Sequence, residues 1–271
     1  MDYYRRLDVR QTILDFARAS GGSGDRECAF YNARIKGLQR HLSEYPLVLD
    51  SAAAFDRALS SGATAFYCSY WRYPSQDYSR PLGHDLVWTV WARRGGLKFA
   101  RTVTALVIEA LADDGVSEPW VKYSGRLGFD LLIPLEAIPD EAWAGDGDTL
   151  TDLQMRLTSY IASYLTERRS CIHIDGASSP LEIKQGTDTC LLSELRVRRG
   201  LLLAPMSLNP ESGLVSVPIA PDKVAEFSVL DSSPADARAF EWVQPSRVAR
   251  GLVKYARPWQ LAPVQTKLAI A

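Results

Sequence analysis

Long apolar runs, histidine and asparagine are what this sequence has least of. No stretch of 18 apolar residues occurs in the 271, which argues against a membrane-spanning helix. The start, MDYYRRLDVR, is charged and aromatic and has no apolar core of a secretory signal. Together these absences predict a soluble cytoplasmic protein with no membrane partner. Histidine occurs three times, as His41, His84 and His173, with no HxH or HExxH spacing, so zinc-hydrolase chemistry has no ligand set. No GxSxG elbow and no GxxxxGKS/T loop is present, which leaves hydrolase and P-loop readings without a motif. The four cysteines, Cys28, Cys68, Cys171 and Cys190, form no CxxC. Cys171, His173 and Cys190 are of the right types for zinc but lack a fourth ligand and a standard spacing, so buried free thiols are the better reading. Asparagine occurs only as Asn32 and Asn209, a bias in the direction of thermophile proteins. An excess of either charge is missing too. The net charge is −1 and the pI near 6.3, so any contact with nucleic acid has to come from local patches.

What is present suits a globular core: 46% hydrophobic and 23% charged residues, in a length that fits one large or two intimate domains. Basic residues cluster locally at Arg5, Arg6 and Arg10; at Arg93, Arg94 and Lys98; at Arg196, Arg198 and Arg199; and at Arg247, Arg250, Lys254 and Arg257. The ordinary reading of each cluster is a solvated face. Along the chain, a first helix precedes a flexible break at 19–26 (ASGGSGDR). Helical spacing runs from Glu27 to Leu42, and a second helix from Asp50 to Ser60, capped by Asp50 or Ser51. Thr64 to Tyr70 and His84 to Ala92 read as strands, the second apolar enough to be buried on both faces. Leu97 to Asp114 is a helix with one apolar face and Gly115 as its stop. Trp120 to Tyr123 and Phe129 to Pro134 are strands joined by a tight turn at Ser124 to Gly128. Leu86 to Pro134 is therefore a β-α-β-turn-β unit. Asp152 to Arg168 is a further helix. Strands follow at RVRRGLLL (196–203) and Gly213 to Ile219, then a tail with helical character at Ser232 to Phe240 and Ser246 to Tyr255.

Two segments carry a resemblance when taken together: VKYSGRLGFDLLIPLEAIP, from Val121 to Pro139, and RRGLLLAPMSLNPESGLVSVPI, from Arg198 to Ile219. The first resembles the SGxxGxH turn of archaeo-eukaryotic primases and of the polymerase domains of bacterial end-joining ligases. The second resembles the stretch after that superfamily's third catalytic motif, where a basic residue, a Pro, a Ser-Leu pair and a Gly-Leu pair recur. The chain is thus similar to the primase-polymerase superfamily over roughly Thr64 to Arg238. The resemblance implies an α+β fold, an RRM-like β-sheet unit packed against an N-terminal α/β unit. It divides one domain into a helical part (1–63), a core (64–238) and a tail (239–271).

Nucleotidyl transfer in such a fold uses two Mg²⁺ or Mn²⁺ ions, and hard divalent ions need carboxylate oxygens. The superfamily supplies two acids at i and i+2 of one strand, so that both face the same way, and a third from a later strand. The resemblance puts the paired acids on Thr89 and Trp91. It puts the third near Leu192, with Leu191 and Ser193 as alternatives, and the triphosphate-contacting His on Asp130. Basic positions fall on Leu203 and Glu211. The catalytic set is therefore expected to be lost. A cofactor is expected only if activity survives, as Mg²⁺ or Mn²⁺ with Asp130 among the ligands. Ser124, Gly125, Arg126, Gly128 and Ser207 remain as candidate phosphate contacts.

Other acids have ordinary readings: Asp85 as a cap or a solvent-facing residue, Asp175 as a strand end, Asp188 as a turn former, and Asp130 as a rim residue paired with an Arg. The aromatic run Phe66, Tyr67, Tyr70, Trp71, Tyr73 and Tyr78, interleaved with Arg72 and Arg80, is either core packing or a stacking platform for single strands. In the second reading Tyr70, Trp71, Arg72, Arg198 and Arg199 bind nucleic acid. The expected role is an inactive homologue that binds single-stranded or primer-template nucleic acid, or a replication or repair partner. The alternatives are an active enzyme with relocated ligands and a purely structural subunit.

Overall fold

The computed structural model describes residues 3–18, 25–74, 78–143, 147–169, 171–176, 179–249 and 251–252. In chain order the elements are α1 (Leu7–Ala17), β1 (Asp25–Asn32), β2 (Gly37–Gln39), β3 (His41–Leu42), β4 (Tyr45–Pro46), α2 (Ala52–Ser60), β5 (Ala63–Tyr73), β6 (Gly83–His84) and β7 (Leu86–Arg94). They continue as α3 (Gly96–Asp113), β8 (Trp120–Tyr123), β9 (Gly128–Ile133), α4 (Asp140–Trp143), α5 (Gly147–Arg168), β10 (His173–Asp175), β11 (Leu181–Gln185), β12 (Asp188–Glu194), β13 (Leu201–Leu203) and β14 (Pro218–Ile219). The result is an α+β fold with two main sheets, five-stranded and seven-stranded.

The five-stranded sheet runs β13-β5-β1-β2, with β6 also on β5, and α1 and α2 pack against it. Ser51 caps α2 by accepting a hydrogen bond from the Ala54 amide, which satisfies one of the open donors of the first turn. Phe55 of α2 stacks on Phe66 of β5 with ring centres 4.3 Å apart, and Tyr4 meets both rings edge-on. The helix expected from Glu27 to Leu42 is absent. This segment forms β1 and a hairpin to β2, with Phe30, Tyr31 and Asn32 opposite Gln39, Leu38 and Gly37. Cys28, Ala29 and Phe30 are buried in succession, so β1 is a central strand covered on both faces. A continuous apolar run of that kind carries no strand period. The turn was written in Asn32, whose side chain accepts the Arg34 amide, and in Lys36, which takes φ 51°.

The seven-stranded sheet runs β10-β11-β12-β7-β9-β8-β14. β7, α3, β8 and β9 form the expected β-α-β-turn-β unit, with β9 antiparallel to both β7 and β8. One face is covered by α3 and α5. It buries Trp88, Val90, Phe129 and Leu131 against Phe99, Val103 and Val107, and Thr158 accepts the Trp88 indole N–H at 2.7 Å. The strand expected at 196–203 shortens to Leu201–Leu203. Arg199 takes φ 58°, and a Cβ at Gly200 would lie 2.2 Å from the Tyr70 hydroxyl oxygen. The strand expected at 213–219 shortens to Pro218–Ile219, which pairs with β8, while Val215 makes an isolated bridge to Leu208. Of the expected tail helices, 232–240 is turn and extended chain interrupted by Pro234, and Pro245–Arg247 is a short 3-10 turn. Positions 253–255 lie outside the described residues.

A buried ionic cluster ties the two halves together. Asp85, in the link between β6 and β7, pairs with Arg26 of β1 at 2.7 Å and with Arg72 of β5 at 3.0 Å, and Arg72 also reaches Glu136 at 2.9 Å. Asp85 further accepts the Leu135 amide. It is therefore neither a cap nor solvent-facing, because the arginines of two adjacent strands need an internal counter-charge. Burial alone would raise the Asp85 carboxyl, but Arg26 and Arg72 hold it below the ordinary carboxylate value. Burial, and then the neighbouring Arg26, push the Arg72 guanidinium down.

Candidate functional site

The face of the seven-stranded sheet opposite α3 and α5 carries the residues of interest. Strand register sets one row across it: Ser193, Thr89, Asp130, Lys122 and Pro218, on β12, β7, β9, β8 and β14. A second row lies one pleat outward: Leu191, Trp91 and Gly128. Residues two apart on a strand share a face, so Thr89, Trp91 and Asp130 come together. Leu192 does not. It pairs with Val90 on the helix-covered face and is fully buried. Ser193 and Leu191, one residue to either side, lie on the face with Thr89 and Trp91, because a single-residue step reverses the side chain.

Asp130 has a partner the sequence did not reveal. Lys122 Nζ lies 2.5 Å from its carboxylate and donates to the Ser216 hydroxyl at 3.1 Å; Ser216 in turn donates to the Tyr123 carbonyl. Lys122 is fully buried and Asp130 nearly so, so the pair is an internal ion pair and the partner is a Lys where an Arg was expected. The one sequence signal for Lys122 is its place on β8, two residues before Ser124 and on the same face.

The Ser124–Gly128 turn is closed by the Ser124 amide donating to the Gly128 carbonyl at 2.9 Å. Gly125 has φ 78°, and a Cβ there would lie 2.9 Å from the Asn209 Cβ and 3.5 Å from the Leu203 side chain. A Cβ on Gly128 would lie 1.9 Å from the Val90 carbonyl oxygen. Both glycines are thus dictated by close approach. The later turn at 209–214 clamps this one: the Ser212 hydroxyl donates to the Gly125 carbonyl, and Arg126 pairs with Glu211 at 2.5 Å. That ion pair is solvent-facing, with the two side chains 44% and 65% exposed. Glu211 also bears on Tyr67 of β5, whose phenol is raised to about 12 by burial first and then by the Glu211 and Tyr31 neighbours. The turn therefore lies between the sheets, near Leu203 and half-buried Tyr67 on one side and Trp91 on the other.

Other expected contacts lie elsewhere. Ser207 is fully buried; its hydroxyl accepts the Phe66 amide at 2.7 Å and meets the Tyr4 hydroxyl, so it joins β5 to the chain below and offers nothing to a phosphate. Tyr70 and Trp71 both donate to the Val197 carbonyl from buried positions, and Arg72 belongs to the internal ionic cluster. None of the three forms an open platform: β5 is covered on both faces, and core packing accounts for Phe66, Tyr73 and Tyr78 as well. Arg198 is exposed and donates to the Ser79 carbonyl. Arg199 pairs with Glu27, which Arg40 shares. Asp175 is exposed on β10 beside Lys184, and Asp188 begins β12 against Gly95. Cys171 is exposed and Cys190 buried, while Cys28 and Cys68 are buried cross-strand neighbours with free thiols 3.9 Å apart. A separate cavity of about 530 Å³ lies between α1 and 239–245; Phe16, Trp120 and Trp242 line it, and none of the residues of the two rows does.

Among the described residues, no group of three or more His, Cys, Asp or Glu side chains comes together to hold a metal ion. Thr89 and Ser193 offer hydroxyls and Trp91 an indole, and none of these is a carboxylate ligand for a hard divalent ion. No helix among the described residues is long and apolar enough to cross a membrane.

No protein-family model matches the chain, and no curated protein matches it. Eighteen chains of solved structures do. One is the polymerase domain of Ligase D from Mycobacterium tuberculosis, in complex with DNA. It aligns with a TM-score of 0.52 over 96% of this chain and 88% of that one, at 17% identity. The chain has the primase-polymerase fold. At that identity the likeness is one of fold. The sheet brings Thr89, Trp91, Ser193 and the turn to one surface.

Proposed function

We propose that this protein is a nucleic-acid-binding member of the primase-polymerase fold that does not carry out two-metal nucleotidyl transfer. The observation behind the reading is the row Ser193, Thr89, Asp130 and Lys122 with Trp91 above it. Two hydroxyls and an indole stand at the acid positions, and the one acid is neutralised internally by Lys122. Nothing there donates a free carboxylate to a hard cation. Rebuilding Asp130 as a ligand would strip Lys122 of its counter-ion in a buried site, which disfavours the reading with relocated ligands.

Binding needs less than catalysis. A strand can be held by cations and aromatic faces without metal. The solved neighbour is bound to DNA, which supports the same partner class here. On this reading the seven-stranded sheet with α3 and α5 is the RRM-like unit, the five-stranded sheet with α1 and α2 is the N-terminal α/β unit, and the role is accessory, in DNA replication or repair. Primer extension with Mn²⁺ and all four nucleotides tests the claim of inactivity. The expected result is no incorporation, alongside salt-dependent binding of a labelled single strand. Template-directed incorporation by the wild-type chain overturns that claim. Absence of binding at low salt overturns the nucleic-acid role and leaves a protein-interaction subunit.

A further inference from the structure

We propose that Trp91 is a base-stacking residue, so that an unpaired nucleobase rests on the indole at the place where the fold otherwise carries a metal ligand. The inference rests on the nucleic-acid reading above and adds to it the residue and the chemical group recognised.

The two tryptophans of β7 show the contrast. Trp88 is fully buried and its N–H is bonded to Thr158. Trp91 is 42% exposed on the opposite face. With exposed Leu127 and half-buried Leu191 nearby, Trp91 belongs to an apolar patch, and such patches mark interaction sites. The surroundings are flat. Gly128 stands directly across from Trp91, and a Cβ there would approach the indole Cδ1 to 3.0 Å, so the ring lies against bare backbone on that side. Half-buried Leu191 flanks the other side in the same row. Leu127, also 42% exposed, is tied in beside it, because its carbonyl accepts the Ala92 amide at 2.9 Å.

Charge decides between a base and a protein surface. Arg93, on the same face as Trp91, is 61% exposed, and Glu182 approaches it only to 3.8 Å. Arg94 and Lys98 are exposed just beyond, and Arg126 lies across the turn in its exposed pair with Glu211. Of the acids on this face, Asp130 is bound to Lys122, and Glu182 and Asp175 are shared with Lys184. From Trp91 to Lys98 the chain carries cations and no acid. Aromatics and Arg are also enriched in protein-protein interfaces, so it is the single sign of charge along this run, rather than the residue types, that favours a polyanion. An aromatic face bordered by solvent-exposed cations, whose pairings are open to exchange, matches a base with its phosphodiester.

The test is fluorescence anisotropy with a labelled single strand of about 12 nucleotides, on the full chain as wild type, Trp91→Ala and Trp91→Phe, with folding checked by thermal melting. The same strand carrying one abasic position is run beside it. Stacking predicts a loss of about 5- to 150-fold for Trp91→Ala and near wild-type affinity for Trp91→Phe. It also predicts an unchanged dependence of binding on salt, because no phosphate contact is lost. The abasic strand should respond less to Trp91→Ala than the intact strand. Wild-type affinity in a folded Trp91→Ala overturns the inference and leaves the nucleic-acid reading intact. Absence of binding by the wild type overturns the reading on which it rests. A fall in solution mass in Trp91→Ala would make the indole a contact between copies of this chain and likewise overturn the stacking role.

Discussion

At the residue scale, the face and its turn carry one ion pair that is internal and one that is exposed. Lys122 and Asp130 are buried together, and removing either leaves the other uncompensated, at a cost of about 3–5 kcal/mol. Arg126 and Glu211 are exposed, and such a pair contributes roughly 0–1 kcal/mol. Glu211 therefore competes with any phosphate for Arg126 at little structural cost. Glu211→Gln should leave the melting temperature unchanged and tighten single-strand binding by about two- to fivefold at low salt. The freed arginine should steepen the salt slope by about 0.7, one phosphate on a single strand. Equal affinities and slopes in a salt titration of both proteins would show that Arg126 makes no phosphate contact. Several of these residues were legible in the sequence and several were not. The turn glycines could be read because close approach leaves no alternative at Gly125 and Gly128. Lys122 could not, because a lysine on a short strand looks solvent-facing until Asp130 is placed opposite it. Leu192 and Ser193 differ by one position, and alternation turns that one position into opposite faces of the sheet.

At the scale of elements, the Asp85 cluster is the part of the fold most exposed to acid. It joins β1, β5, the approach to β7 and the 3-10 turn at Leu135–Ala137, all inside the protein. The folded Asp85 carboxyl is held below its ordinary value by the two arginines. Its contribution is therefore fully present above the ordinary carboxylate pKa, about 3.9, and is lost as pH falls through the folded value. Asp85→Asn should be about 3–5 kcal/mol less stable than wild type at neutral pH, because the buried guanidinium groups of Arg26 and Arg72 both lose an internal counter-charge. That gap should narrow in urea unfolding once the pH falls below about 4. A gap that persists to low pH would assign the loss to packing. The β-α-β-turn-β unit was readable because α3 has a clean apolar face and Gly115 stops it. β1 was not, because a central strand buried on both faces has no alternation to show.

For the whole molecule, the order of motifs was enough to reach the fold, and the reason is physical. Backbone-defining positions such as Gly125, Gly128 and the buried face of β7 tolerate few substitutions, whereas cleft side chains change without disturbing the sheets. The same separation makes the metal face testable by reconstruction. Thr89 and Ser193 are cross-strand partners, a relationship that sets side chains about 4.5–5.5 Å apart at Cβ, and Trp91 is the next residue on that face. In Thr89→Asp/Trp91→Asp/Ser193→Asp, three carboxylates would converge, with the spacing that hard divalent ions accept. Mutual repulsion should lower the melting temperature of the metal-free variant. Mn²⁺ should then raise it, because an ion that binds only the folded state stabilises by mass action. Wild type should show no such rise. A variant whose melting is indifferent to Mn²⁺ would mean that these positions do not form one metal face. Primer extension should remain absent in the Mn²⁺-loaded variant. Asp130 is still locked to Lys122, and on the resemblance Leu203 and Glu211 still fall on positions where a triphosphate needs cations. Metal binding without transfer would separate the two losses, the ion site and the triphosphate site. Recovered transfer would instead show that the acids alone were missing.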